Sequence, residues 1–414
     1  MADASLNTSA AIIKTLYRNG DCPQELYGNN NFFMDIPKET DFVGDPLVVA
    51  VQTEHTQGAS ATFSEAITSL NPNKYARFSV SSVLDYSLAQ ITGEAMVKVV
   101  ANEGALVDLW KREMDGAFMA ATRSLAIMGF RSGTGDRGQI SAGSNVATNT
   151  ITLAQPTEIT NFAVNMRVTA SATAGGATRN ASAAELIAGI NRATGTLTST
   201  SVAWNTVIAA LAAGDFLQRA GDAQNGGTAL VITGLAGWIP GGATPGTLFG
   251  LNRNTDPVRL AGTNYDATGL PPEEALIEAV SRVQVEGGKP DRFYCHPRDK
   301  ASLVKSLETK SRYMKGSKEM VSGTVGFDVL EFETDNGPVK VVSDLNCQRN
   351  KGWLLQRDTW ALESAGKAPR ILNFDDNTFL RVSNADSYQI RVGSYPQQIC
   401  RAPAWNLQIS NFAA

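Results

Sequence analysis

Histidine occurs twice in 414 residues and cysteine four times, and the two scarcities together remove much of the chemistry a chain of this length can carry. With only His55 and His296, a metal site needing several imidazoles is excluded by count, and any Ser-His-Asp or Cys-His arrangement must use one of the two. Cys22, Cys295, Cys347 and Cys400 lie far apart and form no CxxC pair, so neither a zinc site nor a disulfide framework is indicated, and they read as buried thiols. Long apolar runs are also missing: none approaches the roughly 18 to 20 residues of a membrane helix. The opening residues lack a basic segment followed by an apolar core and a small-residue cleavage site, so nothing points to secretion and a cytoplasmic origin is expected. Nor is positive charge in surplus. The 36 basic and 40 acidic residues leave a net charge of -4, whereas a protein that grips DNA through its phosphates shows a basic excess.

What is present is a foldable chain. Hydrophobic residues make up 43% and charged residues 18%, too apolar for disorder, and the length predicts two or three lobes or one elongated domain with insertions. Residues 1–45 mix Asn, Asp, Pro and Gly with scattered aromatics and allow only a short helix around Ala10 to Tyr17. They read as an arm whose Leu26, Tyr27, Phe32, Phe33 and Phe42 need a partner surface in the same subunit or a neighbour. PLVVAVQTE from Pro46 and YARFSVSSV from Tyr75 read as two strands of a long hairpin, joined by a connection far longer than a tight turn. From Gly93 to about Phe130 there is no proline, and Leu106, Trp110, Met114, Ala117, Ala121, Leu125 and Met128 recur at helical spacing. Unbroken, that helix would span roughly 50 Å, although Gly104 and Gly116 are places to bend. Residues 145–235, rich in Ala, Thr, Gly and Ser, suggest a small β-rich inserted module, and 236–269 a long loop region. Pro271 to Val285 then reads as a helix with Ala275, Leu276, Ala279 and Val283 inward. RFYCH follows as a strand, Pro297 to about Leu307 as a second helix, VLEFETDNGPVKVVSD as a hairpin turning at Asn-Gly, and GWLLQ, FLRVSN and YQIRVGS as further strands.

No motif for chemistry survives its context. Cys295 and His296 are adjacent in a strand and face opposite sides. Gly133, Gly135 and Gly138 match GxGxxG, but a helix precedes them where a dinucleotide site needs a strand, so they read as the loop that ends the long helix. Ser302 and Lys305 fit SxxK without the SDN or KTG that a penicillin-binding type of site requires. Lys305, Lys310, Arg312, Lys315 and Lys318, interleaved with Glu308 and Glu319, form the one basic run. It reads either as a solvated helix end or as a charged rim that contacts neighbouring subunits around a symmetry axis. No catalytic, cofactor-binding or metal-ligating residue is assigned, and no cofactor is expected.

The order of arm, hairpin, long helix, α/β lobe and returning strands resembles the Hong-Kong-ninety-seven-type fold of tailed-phage major capsid proteins. The similarity extends to wording: GASATFSEA, FSVSSVLDYSLAQITGEAM, GALVDLWKREMDGAFMAATRSLA, LFGLNRNTDPVRLAGT, GGKPDRFYCHPRDKASLVKSL and RVSNADSYQIRVGSYPQQICRAPAWN. It takes in nearly the whole chain outside 145–235. The resemblance implies an α+β subunit with an N-terminal arm (1–45), an extended loop (46–92), a peripheral domain with its spine helix (93–144), an inserted β-rich domain (145–235), a connecting region (236–269), an axial α/β domain (270–358), and C-terminal strands (359–414) that rejoin the peripheral domain. It implies a non-enzymatic subunit that assembles with copies of itself, as hexamers and pentamers, into an icosahedral head around double-stranded DNA in the host cytoplasm. That shell holds DNA without sequence-specific binding and meets no membrane. Because the arm starts almost at Met1, scaffolding is expected from a separate protein or not at all; portal and decoration proteins are further partners of such shells. Some relatives crosslink a loop lysine to a neighbour's asparagine. Lys74 sits in the corresponding loop, but no acceptor or activating acid matches by motif, so a crosslink is not predicted.

The nearest alternative is a bacterial nanocompartment shell protein of the same fold, which encloses an enzyme and is usually shorter. A soluble α/β enzyme would need an active-site constellation, and a β-rich adhesin an export signal with strands throughout.

Overall fold

The computed structural model describes residues 30–95 apart from 43 and 45, 103–200, 203–309 apart from 243, 330–373 apart from 336, and 379–413. The helix expected at Ala10 to Tyr17, the side chains of Cys22, Leu26 and Tyr27, and Lys310, Arg312, Lys315, Lys318 and Glu319 lie outside these residues.

The described arm is tied down within its own chain. Helix α1 (Asn31–Asp35) buries Phe32 and Phe33. The Phe32 ring lies 4.9 Å from Phe130 and 5.2 Å from Tyr294, and its backbone N–H donates to Asp344 Oδ2 at 2.8 Å. Phe42 is buried as well, so these three aromatics find their partner surface in the same subunit. The arm continues through Lys38–Glu39, which pairs in parallel with residues 362–363.

Strands β1 (Leu47–Glu54) and β2 (Lys74–Val80) form the hairpin, with helix α2 (Phe63–Thr68) in the connection. The hairpin ends at Val80. Strand β3 (Asp85–Thr92), placed in the extended loop by the sequence reading, instead joins another sheet. Helix α3 (Glu103–Met128) runs through Gly104 and Gly116 without interruption for about 40 Å. Gly93, Glu94 and Ala95 are already helical, directly after β3 ends at Thr92, and residues 96–102 lie outside the described set.

The β-rich unit is a six-stranded sheet of β4 (Asp136–Gln139), β5 (Thr150–Thr152), β6 (Arg167–Ser171), β7 (Glu185–Asn191), β8 (Thr196–Ser199) and β9 (Phe216–Arg219), in the order β4-β9-β6-β7-β8-β5. It begins nine residues before the composition shift. Its core is Ile151, Phe162, Val168, Leu197, Trp204 and Leu217. Residues 236–269 are less irregular than expected: a two-stranded turn over 247–252 and a short helix, Pro257–Ala261, precede β10 (Thr263–Asp266).

The α/β lobe follows the local pattern closely. Helix α4 (Pro272–Val285) opens on a proline with Glu273 and Glu274 in its first turn, buries Ala275, Leu276, Ala279 and Val283, and ends before Gly287 at φ +84. Strand β11 (Arg292–Cys295), helix α5 (Pro297–Thr309), β12 (Leu330–Thr334), β13 (Gly337–Ser343) and β14 (Lys351–Leu355) follow. The chain then forms β15 (Trp360–Ser364), β16 (Ser387–Ser394), β17 (Pro396–Cys400) and β18 (Leu407–Ser410). The expected return of all the C-terminal strands to one domain is corrected here. β16 pairs with β3 against α3, but β18 inserts between β10 and β14 in the lobe's sheet, ordered β10-β18-β14-β11-β13-β12. The reason is burial: Leu407 and Ile409 are fully inside and complete the lobe's core with Phe293, Leu354 and Phe412.

Candidate assembly surfaces

The hairpin has two unlike halves. At its base, alternation turns Val49 and Val51 of β1 and Phe78 and Val80 of β2 into the largest core cluster. There the Phe78 ring meets Trp238 edge-on at 5.0 Å, and Ser79 N–H donates to the Phe249 carbonyl at 3.0 Å. An isolated hairpin is marginal in water, and this contact supports it from outside. Beyond it nothing is covered: no residue from Gln52 to Arg77 is buried. Near its root the outer half takes one bond from the body, Arg259 Nη1 donating to the Thr53 carbonyl, and farther out it is held by its own polar contacts, Lys74 Nζ to Glu54 Oε2 at 2.7 Å and reciprocal backbone bonds between Gln57 and Asn71. On it sit Phe63, Ile67, Leu70 and Tyr75, exposed by 82, 57, 66 and 62%. Phe63 and Ile67, four apart on α2, share one face of the helix, and Leu70 follows just past its end. The sequence reading passed over this helix as a long loop; FxxxIxxL between two strand patterns was the signal that could have found it.

A second apolar row lies at the start of β3, where Leu84, just before the strand, and Tyr86 and Leu88 within it alternate outward, each about half exposed. The inward face is complete: Ala89 packs with Ile390 and Val392 of β16 against Ala117 and Ala121 of α3. The sheet is thus supported from within, while its outer side keeps Leu84 and Leu88 about half exposed and Tyr86 edge-on to Tyr395 at 6.3 Å.

The residues weighed for chemistry do not converge. His55 is exposed at the hairpin, its Nδ1 3.2 Å from Gln52 Nε2, whereas His296 is buried at the entry to α5. Cys295 packs in the apolar core of the lobe while His296 lines a polar cavity, so the adjacent pair faces two environments. Burial pushes the Cys295 and Cys400 thiols up to about 12, and Cys347 also upward, which keeps all three protonated and unreactive. Gly133 and Gly135, at φ +86 and +83, belong to the loop between α3 and β4; a Cβ on Gly135 would stand 2.2 Å from the Asp222 carbonyl oxygen. That glycine serves close packing. Ser302 Oγ donates to the Arg298 carbonyl within α5. Among the described residues no group of three or more His, Cys, Asp or Glu side chains could hold a metal ion, and no helix is long and apolar enough to cross a membrane.

His296 and Asp299 give the lobe a testable pH response. Burial, with Arg349 and Arg298 nearby, lowers His296 to about 4, so its contribution to stability is lost as pH falls from 6.5 towards 4. Burial raises Asp299 to about 6 despite its Arg349 partner, so its contribution is lost as pH rises from 3.8 to 6. Each is at most about 3 kcal/mol, and between pH 4 and 6 the two oppose one another. The variant His296→Asn is expected to unmask Asp299: its Tm should fall as pH rises from 4 to 6 while the parent's stays nearly level. Parallel Tm profiles would refute the assignment.

Residues 176–378 match the family model described as SU10 major capsid protein. Among solved structures, the chain is similar to the capsid protein of cyanophage A-1(L), with 11% identity, 96% of this chain and 97% of that chain covered, and a TM-score of 0.55. It also aligns with the capsid of an empty GTA particle (7% identity, 99% and 100% covered, TM-score 0.48) and with the SrpI encapsulin of Synechococcus elongatus (7%, 99% and 96%, 0.47). No curated protein matches the chain by sequence.

Proposed function

We infer that this chain, a shell-forming major capsid protein of the tailed-phage kind with the Hong-Kong-ninety-seven-type fold, works by leaving its hairpin end and the outer face of β3 for neighbouring copies to cover. The observation that carries this reading is the hairpin's apolar end. Its base is built into the core, so it is held out from the body, yet Phe63, Ile67, Leu70 and Tyr75 meet nothing in their own chain that buries them. Exposed apolar clusters of this kind mark interaction sites, and in a closed homo-oligomer the partner is another copy. The chain's place is the virion and its role structural.

In finer detail, the α/β lobe is the axial part of hexamers and pentamers, α3 with β3 and β16 the peripheral part, and the β-rich sheet an inserted surface lobe between neighbours. Assembly takes place in the host cytoplasm, with separate scaffolding, portal and decoration proteins as further partners. The acidic balance suits a container that holds DNA without adhering to it. A nanocompartment shell shares the fold, but the match to a phage capsid family favours a genome as cargo. Negative-stain microscopy and sedimentation of the purified protein test this directly. Closed shells, or rings of five and six, are expected; a uniform monomer at high concentration, with and without a scaffold, would overturn the reading.

A further inference from the structure

Three parts of the subunit meet at one small polar cavity of about 10 Å³: the chain leaving α3 at Arg131, the 3-10 turn Pro156–Asn161 at the edge of the β-rich sheet, and the α/β lobe at His296 and residues 345–348. A water molecule needs roughly 10–15 Å³ and two to four polar partners. The lining supplies them in excess. Arg131 Nε, Thr157 Oγ1, Asn161 Oδ1, Asn346 Oδ1 and Gln348 Oε1 are all buried with no protein partner.

Most of these groups are fixed by bonds made at their other ends. Arg131 donates to Glu158 Oε1 at 2.8 Å and to the Arg137 carbonyl at 3.3 Å. Asn161 Nδ2 donates to that same carbonyl at 2.9 Å, and Asn346 Nδ2 donates to Asn30 Oδ1 and Asp344 Oδ1, both at 3.0 Å. Turning either amide over to satisfy its oxygen would break those bonds, so the orphaned atoms cannot be removed by rearrangement. His296 adds a donor: its Nδ1 accepts from Arg298 N–H at 3.2 Å, which in the neutral ring leaves the proton on Nε2.

We propose that this cavity binds one ordered water molecule, which donates its two protons to carboxamide oxygens of Asn161, Asn346 or Gln348 and accepts from Arg131 Nε and His296 Nε2. The composition of the site selects water over an ion. A cation would face the buried guanidinium of Arg131, and an anion would face three carboxamide oxygens and Glu158. Only a molecule that both donates and accepts satisfies the set. The water joins the lobe to the α3 end and the sheet edge, which the Arg131–Glu158 ion pair at 2.8 Å already ties to each other.

The test is a density map fine enough to resolve ordered water, from shells or from crystals of the unassembled subunit, so its outcome stands apart from whether shells form. Maps are compared from sodium and rubidium buffers. One compact peak is expected within hydrogen-bond distance of Arg131 Nε and at least two of the three carboxamide oxygens, equally strong in both buffers. No peak, or a peak that strengthens in rubidium, would overturn the proposal.

Discussion

The double substitution Phe63→Asp with Ile67→Asp is expected to leave the subunit folded and stop it from closing into shells. Both side chains are mostly exposed, and surface changes of this kind alter folding stability by no more than about 0.5 kcal/mol. An apolar anchor at the centre of an interface contributes about 2 kcal/mol or more, so two such losses weaken each contact roughly a thousandfold. A shell multiplies that loss, since every subunit offers the same hairpin to a neighbour. Circular dichroism and thermal unfolding should match the parent, while sedimentation should show small species only. Ser64→Asp, on the same exposed helix but off the apolar face, controls for added charge and should still give shells. If the double variant assembles as the parent does, the hairpin end is not a subunit contact and the assembly reading loses its main support.

Contacts between near neighbours in sequence were readable, and distant ones were not. Helix α4 follows from the spacing of Ala275, Leu276, Ala279 and Val283, all four buried, and the β12–β13 pair follows from two alternating runs around a glycine. The hairpin strands were visible for the same reason. Helix α2 was not, because its six residues make less than two turns, and the one FxxxIxxL spacing is a short signal inside a connection rich in Ser, Thr and Asn. The pairing of β3 with β16 joins segments nearly 300 positions apart, and nothing within either segment names its partner. The same holds for β18, whose Leu407 and Ile409 announce a strand but not the sheet it completes. Buried polar partners were hidden most completely. Asn346 and Arg131 read as ordinary surface residues until the fold brings them to one cavity.

Asp222→Ala is expected to cost about 3–5 kcal/mol of folding stability, the largest loss from any single polar side chain in the β-rich unit. Asp222, 5% exposed, lies between two arginines: Arg137 at 3.2 Å and Arg219 at 2.8 Å. Arg219 also binds Asp85 at the start of β3, and Arg137 donates to Ser124 Oγ on α3, so one carboxylate ties the sheet to both. The two cations are not equally dependent on it. Burial works against the charge of Arg219, but Asp222 and Asp85 outweigh it and hold its pKa up, and the side chain keeps a path to solvent. Arg137 is fully enclosed, and burial pulls its pKa down even with Asp222 present. Removing Asp222 therefore strands Arg137 in particular, which is the condition under which breaking a buried pair is costly. It follows that Arg137→Met in the Asp222→Ala background should recover part of the loss, although Arg137→Met alone is destabilising. Urea unfolding of the four proteins in the cycle measures the coupling. A cost below about 1 kcal/mol for Asp222→Ala, or strict additivity of the two changes, would mean that this network does not hold the sheet to the body.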